Sequence, residues 1–138
     1  MMATASTASV QLNNGVLIPR VGLGVFRAAG GAETRDAVRH ALHVGYRHID
    51  TARIYGNEED VGAAVRESGL SRSAIFVTTK LWNADQGTRS TGAAFEGSLA
   101  RLGLDYVDLY LLHWPVPGKR LESWRELEWL RQPRQARL

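Results

Sequence analysis

Three titratable side chains, Asp50, Lys80 and His113, each stand at the end of a short apolar run, and they are 30 and 33 residues apart. The runs are Tyr46–Asp50, Ile75–Lys80 and Tyr106–His113, and each is followed by a loop and a stretch with helical periodicity. About 30 residues is the length of one strand–helix unit, so the spacing predicts parallel strands joined by helices. Polar groups at the same end of neighbouring parallel strands are the mark of a (β/α) barrel, which keeps its chemistry at that end. A doubly wound sheet predicts a third glycine in its first turn. Here Gly22-Leu23-Gly24-Val25-Phe26-Arg27 has arginine at that place, which argues against it.

Taken in order, Val10–Leu12, Asn13-Asn14-Gly15 and Val16–Ile18 read as a hairpin with an Asn-Gly turn. Val21–Val25 is a short glycine-containing strand, the first of four. Glu33–Val44 has Ala37, Val38, Ala41, Leu42 and Val44 at helical spacing, ended by Gly45. A second helix is expected over about Glu58–Ser68, with Asn57 able to cap it and three acids, Glu58, Glu59 and Asp60, at the positive end of its dipole. Thr88 is a candidate cap for a third helix burying Phe95, Leu99 and Leu102. A fourth pattern from near Leu121 repeats Trp124, Leu127 and Leu130. The expected layout is a disordered N-terminus over 1–9, a half-barrel over 10–130 and a basic tail over 131–138.

Charge excludes one class of partner. The chain has 17 Lys and Arg against 14 Asp and Glu, and the excess of three is Arg131, Arg134 and Arg137 alone. A body of zero net charge is no footprint for nucleic acid. There is no cysteine, so disulfides and thiolate metal sites are excluded. The small polar N-terminus has no basic start and no apolar stretch, so no signal peptide is expected, and no run is long enough to span a membrane. A cytoplasmic setting follows as an expectation.

The chemistry-bearing residues each carry a blander reading. Asp50 at a strand end is costly unless a cation meets it, and Lys80 is the candidate, although the two can equally be a structural pair. Tyr55 in the strand-to-helix loop is a packing residue when taken alone, and His113 beside Trp114 a core histidine. His40, His43 and His48 form no convincing metal site. Ser98 lacks the setting of a hydrolase nucleophile.

Taken jointly, the segments Val21–Phe26, Gly45–Ala52 (Gly-Tyr-Arg-His-Ile-Asp-Thr-Ala), Tyr55-Gly56-Asn57-Glu58, Thr79-Lys80-Leu81-Trp82 and Leu99–Pro115 resemble the aldo-keto reductases over about Val10–Glu128. The resemblance is nearest to the prokaryote-type and trypanosomatid-type reductases of small keto compounds. It implies a (β/α)8 barrel and NADPH-dependent reduction of aldehydes and ketones, with a catalytic set falling on Asp50, Tyr55, Lys80 and His113. It also implies that Gly24, Val25 and Asp50 lie beside the nicotinamide, with Phe26, Trp82 and Trp114 walling the substrate and no metal involved. Elementary chemistry agrees. Hydride addition to a carbonyl makes an alkoxide that needs a proton, and a tyrosine, ordinarily titrating near about 10, is a better acid beside a cation. Lys80 is that cation, Asp50 its anchor, and His113 can donate a hydrogen bond to the carbonyl oxygen.

A barrel of this kind needs about 250 residues, and four βα units are readable here. The family's Ser-Asn pair, its glutamine and stacking aromatic, and its basic loop for the 2′-phosphate have no counterpart in these residues. Trp124-Arg125-Glu126-Leu127-Glu128 fits the family's fourth helix, whereas the Arg-rich end after it does not. The expectation is a chain cut after the fourth unit by a shifted frame or truncated gene model near residue 129. The alternative to an active reductase is therefore a non-catalytic half-barrel that associates with itself or a partner through unpaired strand edges.

Overall fold

The computed structural model describes residues 8–131. A two-stranded antiparallel hairpin, β1 (Ser9–Gln11) and β2 (Leu17–Pro19), precedes four parallel strands: β3 (Leu23–Gly24), β4 (His48–Asp50), β5 (Phe76–Leu81) and β6 (Leu109–Leu112). The sheet order β3-β4-β5-β6 follows the chain, and the helices α1 (Ala32–His43), α2 (Glu58–Glu67) and α3 (Ser90–Leu102) make the crossovers, with α4 (Arg120–Leu130) after β6. Sequential parallel strands, each followed by a helix, are how a (β/α)8 barrel is built, and the described residues form its first half. No helix among them is long and apolar enough to cross a membrane. The expected N-terminal segment lies outside the described residues except for Ala8 and Ser9, the latter already paired with Pro19. Of the basic tail only Arg131 is described.

Strand alternation separates two faces. Ile49, Val77 and Leu81 point into a core built with Val38, Val61, Ala64, Phe95, Leu99 and Leu102 from the helices. His48, Asp50, Thr78 and Lys80 occupy the opposite face, where His48 meets Thr78 and Lys80 meets Asp50. The register pairs Gly24 with Asp50, Asp50 with Thr78 and Lys80 with Leu111, so the polar residues gather at one end of the sheet, each two residues beyond the level of the last. Two of the helices touch backbone to backbone. A Cβ on Gly62 of α2 would lie 1.8 Å from the carbonyl oxygen of Leu102 at the end of α3, so no side chain fits there.

Several local expectations change in the folded chain. The hairpin turn uses one left-handed residue, Gly15 (φ 85°), while Asn14 accepts the Val16 amide on its side chain. Thr88 does not cap α3; Arg89 holds the cap position, and the Thr88 hydroxyl reaches Glu122 instead. Trp124 is exposed rather than inward, because α4 buries Ser123, Leu127 and Leu130, one residue out of the expected phase at its start. Strand β6 starts at Leu109 rather than Tyr106, because Arg72 takes the Tyr106 carbonyl and the Asp108 carboxylate.

Candidate active site

Lys80 stands near the end of β5, between β4 and β6, and is the centre of the site. Its Nζ lies 2.5 Å from Asp50 Oδ1 and donates to the Thr51 carbonyl at 3.0 Å. The ammonium thus has an anion and a carbonyl dipole, as a largely buried charge requires. Asp50 is less buried than its strand position suggests: its side chain is 34% exposed against 13% for Lys80. Its neighbour across the ladder is Gly24, which has no side chain to cover it.

Tyr55 is carried on a single 3₁₀ turn, Arg53–Tyr55, that Gly56 ends in the left-handed conformation. Its ring centroid is 5.2 Å from Lys80 Nζ, 5.1 Å from the Phe26 ring and 5.8 Å, edge to face, from the His113 ring. His113 follows β6 directly and donates its backbone amide to Leu81 at 3.1 Å. Trp82 meets its ring edge-on at 5.4 Å, and Trp114 stacks on it at 6.5 Å. Burial lowers the His113 pKa and the Lys80 charge lowers it further, against a smaller pull from Asp50, so the imidazole is neutral at neutral pH. Its Nδ1 is buried without a protein partner. The structure therefore brings Asp50, Tyr55, Lys80 and His113 into one cluster rimmed by Phe26, Trp82 and Trp114. Phe26 and Trp114 are exposed, and Trp82 is half-buried.

Two supports of this cluster were not legible in the sequence as such. Asn57 holds the first position before α2 but makes no capping bond; its side chain is fully buried and turns toward the sheet. Glu58, expected at the positive end of the α2 dipole, is buried as well, accepting from Thr79 Oγ1 at 2.6 Å and from Arg101 Nε at 2.7 Å. The available signal was a polar pair directly after the Tyr55 loop, at the edge of a helix whose other face is apolar. Arg27, next to Phe26, has φ 66°, a left-handed strain unusual for a side chain of this kind, and its guanidinium lies 5.2 Å from the Phe26 ring.

Of the residues expected beside a nicotinamide, Gly24 and Asp50 adjoin across the β3–β4 ladder, and a Cβ on Gly24 would meet nothing within 4 Å. That open strand end leaves room for a flat ring to lie on the backbone at Gly24. Val25 differs. Its side chain is buried in the core, its amide donates to the Asp50 carbonyl, and its own carbonyl accepts from Ala28 and Asn57. His40 and His43 are exposed on α1, His48 is engaged with Thr78, and no group of three or more potential metal ligands occurs among the described residues.

This arrangement of an anchored ammonium, a phenol above it and a neutral imidazole beside the phenol can protonate an oxygen between tyrosine and histidine. Comparison with known proteins agrees with the geometry. A 9,11-endoperoxide prostaglandin H2 reductase of Trypanosoma cruzi is 55% identical over 128 residues, covering 93% of this chain and 45% of that protein. The crystal structure of an aldo/keto reductase from Brucella melitensis superposes with a TM-score of 0.88 at 53% identity, covering 92% of this chain and 49% of the other. A Bombyx mori aldo-keto reductase in complex with NADP superposes with a TM-score of 0.83 at 39% identity, covering 94% and 48%. The chain thus spans about half the length of the relatives it matches. The model of the aldo/keto reductase family matches residues 20–133, and the chain belongs to that family.

Proposed function

We propose that these residues are the proton-donating half of an NADPH-dependent reductase of aldehydes and ketones. The observation that carries the reading is Lys80, fixed by Asp50 at 2.5 Å and lying 5.2 Å from the Tyr55 ring, with the His113 ring 5.8 Å from the same ring. NADPH, when bound, supplies a hydride to the carbonyl carbon. The Tyr55 hydroxyl gives the carbonyl oxygen its proton, and solvent later restores it. Lys80 sets its charge against the Tyr55 ring, and Asp50 keeps the ammonium in place. Neutral His113 donates a hydrogen bond to the same oxygen and orients it, a preorganised dipole aimed where charge develops. Phe26, Trp82 and Trp114 supply an apolar wall that shields the reacting carbonyl from water. On the cofactor side, Gly24 and Asp50 offer the open strand end. Val25, next to that end, ties it to β4 through its amide on the Asp50 carbonyl.

The reading is tested by joining residues 8–130 to the C-terminal half of the Brucella melitensis relative, confirming a folded chain by circular dichroism, and assaying NADPH oxidation with a reactive aldehyde. Turnover of at least about 1 per second, at the low end of the usual enzyme range, supports it. A folded chimera that binds NADPH without reducing any aldehyde or ketone overturns it in favour of a non-catalytic half-barrel.

A further inference from the structure

The least explained polar group of the molecule is the carboxamide of Asn57, completely buried at the mouth end of the sheet. Its Oδ1 accepts from Thr51 Oγ1 at 2.8 Å, while Nδ2 donates to the carbonyls of Val25 at 3.0 Å and Ala28 at 3.2 Å and reaches Thr34 Oγ1 at 3.5 Å. A helix-capping asparagine would use its oxygen on amides of the first turn. This one instead serves three other segments.

Two of those segments, at Thr51 and at Val25–Ala28, carry part of the cluster. Thr51 and Asn57 bracket the loop with Tyr55 near its tip, so the Thr51–Asn57 bond closes the base of that loop. The Thr51 carbonyl is the second acceptor of the Lys80 ammonium, and the Thr51 amide is itself tied to Thr78 at 2.9 Å. Val25 and Ala28 flank Phe26 and Arg27, and Phe26 is the ring packed on Tyr55. The left-handed turn at Arg27 lies between the two carbonyls that Asn57 holds, so the same amide restrains the strained backbone.

We propose that Asn57 is the positioning residue of the site: its one carboxamide sets the Tyr55 loop, the Phe26 loop and, through Thr51, the acceptor of Lys80 in a single arrangement. The assignment rests on the carbonyl-reductase reading for its purpose but not for its test, which reads the position of Lys80 and Tyr55 directly. Neither strand pairing nor the apolar core involves this side chain. Its loss therefore displaces the cluster before it unfolds the sheet.

The chain has only two lysines, Lys80 and Lys119, so [15N]lysine labelling with Lys119→Arg as the assignment control isolates the Lys80 ammonium signal. Ring-labelled tyrosine with Tyr55→Phe as control isolates Tyr55. In Asn57→Ala and in the milder Thr51→Val, exchange of the Lys80 ammonium protons is expected to quicken by about five- to tenfold, the effect of one hydrogen bond lost from the arrangement. The Tyr55 ring signals should move with it, while amide signals of β6 and α3 stay in place. Thr51→Ser, which keeps the hydroxyl, should restore both. A purely structural role would lower the melting temperature and leave the Lys80 and Tyr55 signals of the folded variants where they are, and that result overturns the proposal. Should neither variant fold, the unsubstituted chain decides: side-chain amide protons of Asn57 exchanging as fast as a free carboxamide overturn it, and protected ones uphold it. If the signals respond as expected while the chimera reduces no carbonyl, the positioning stands and the function assigned to the cluster falls.

Discussion

Replacing Arg101 by methionine should cost far more than an ordinary surface substitution, although Arg101 lies on α3, away from the cluster. Its partner Glu58 has a side chain 1% exposed, and the carboxylate is held only by Arg101 Nε at 2.7 Å and Thr79 Oγ1 at 2.6 Å. Removing the guanidinium leaves a buried anion with one hydroxyl donor, and breaking a buried pair from one side costs about 3–5 kcal/mol. Arg101 itself is 30% exposed, so water reaches part of the gap and the low end, about 3 kcal/mol, is expected. For a chain of this size that lowers the melting temperature by about 10 °C. The reverse deletion is cheaper: Glu58→Gln leaves a cation that can turn to solvent, and should cost about 1 kcal/mol, one hydrogen bond's worth. The double variant should recover about 2 kcal/mol over Arg101→Met, because the stranded charge is gone. Urea titrations followed by tryptophan emission measure all three. Arg101→Met within about 0.5 kcal/mol of the parent, the range of inert surface changes, would refute the reasoning. So would a double variant no more stable than the single.

Three other substitutions probe the same packing and charges. Lys80→Met should destabilise by about 3 kcal/mol, the low end for an unpaired buried carboxylate because Asp50 is partly exposed, and Asp50→Asn added to it should restore part of the stability and no activity. Gly62→Ala places a methyl against the Leu102 carbonyl, so despite the gain in helix propensity it should lose at least about 3 kcal/mol in thermal melts. Burial lowers the pKa of His48, as it does that of His113. The unfolded chain then binds protons first, so stability present above about 6.5 declines as pH falls toward the folded values. His48→Gln should flatten that decline between melts at neutral and mildly acidic pH.

What could be read from the sequence was what periodicity encodes. The four βα units, the glycine stops and the placing of Asp50, Lys80 and His113 at one end of the sheet follow from runs whose period is set locally, while the register staggers each of the three by two residues from the last. The roles of Asn57 and Glu58 were not readable that way. A polar residue at a helix start ordinarily turns to its own helix, and here the direction is decided by carbonyls 29 and 32 residues earlier and by an arginine 43 residues later. Trp124 illustrates a smaller failure. Its heptad-like spacing with Leu127 was real, but Ser123, bonded to the Lys119 carbonyl and the Gly87 amide, takes the inward position instead.

By themselves, the 138 residues should give no more than trace reduction of aldehydes with NADPH, since their relatives are about twice as long and positioning of the reactants is a large share of catalysis. The central claim, that Tyr55 is the proton donor, is tested most directly by Tyr55→Phe in the chimera with the Brucella melitensis half. Turnover with a reactive aldehyde and NADPH affinity by quenching of tryptophan emission are measured on the same preparation. Loss of a general acid predicts a fall in turnover of about 10²- to 10⁴-fold with affinity for NADPH unchanged. Turnover equal to that of the unsubstituted chimera would contradict the account, because some other acid would then be delivering the proton.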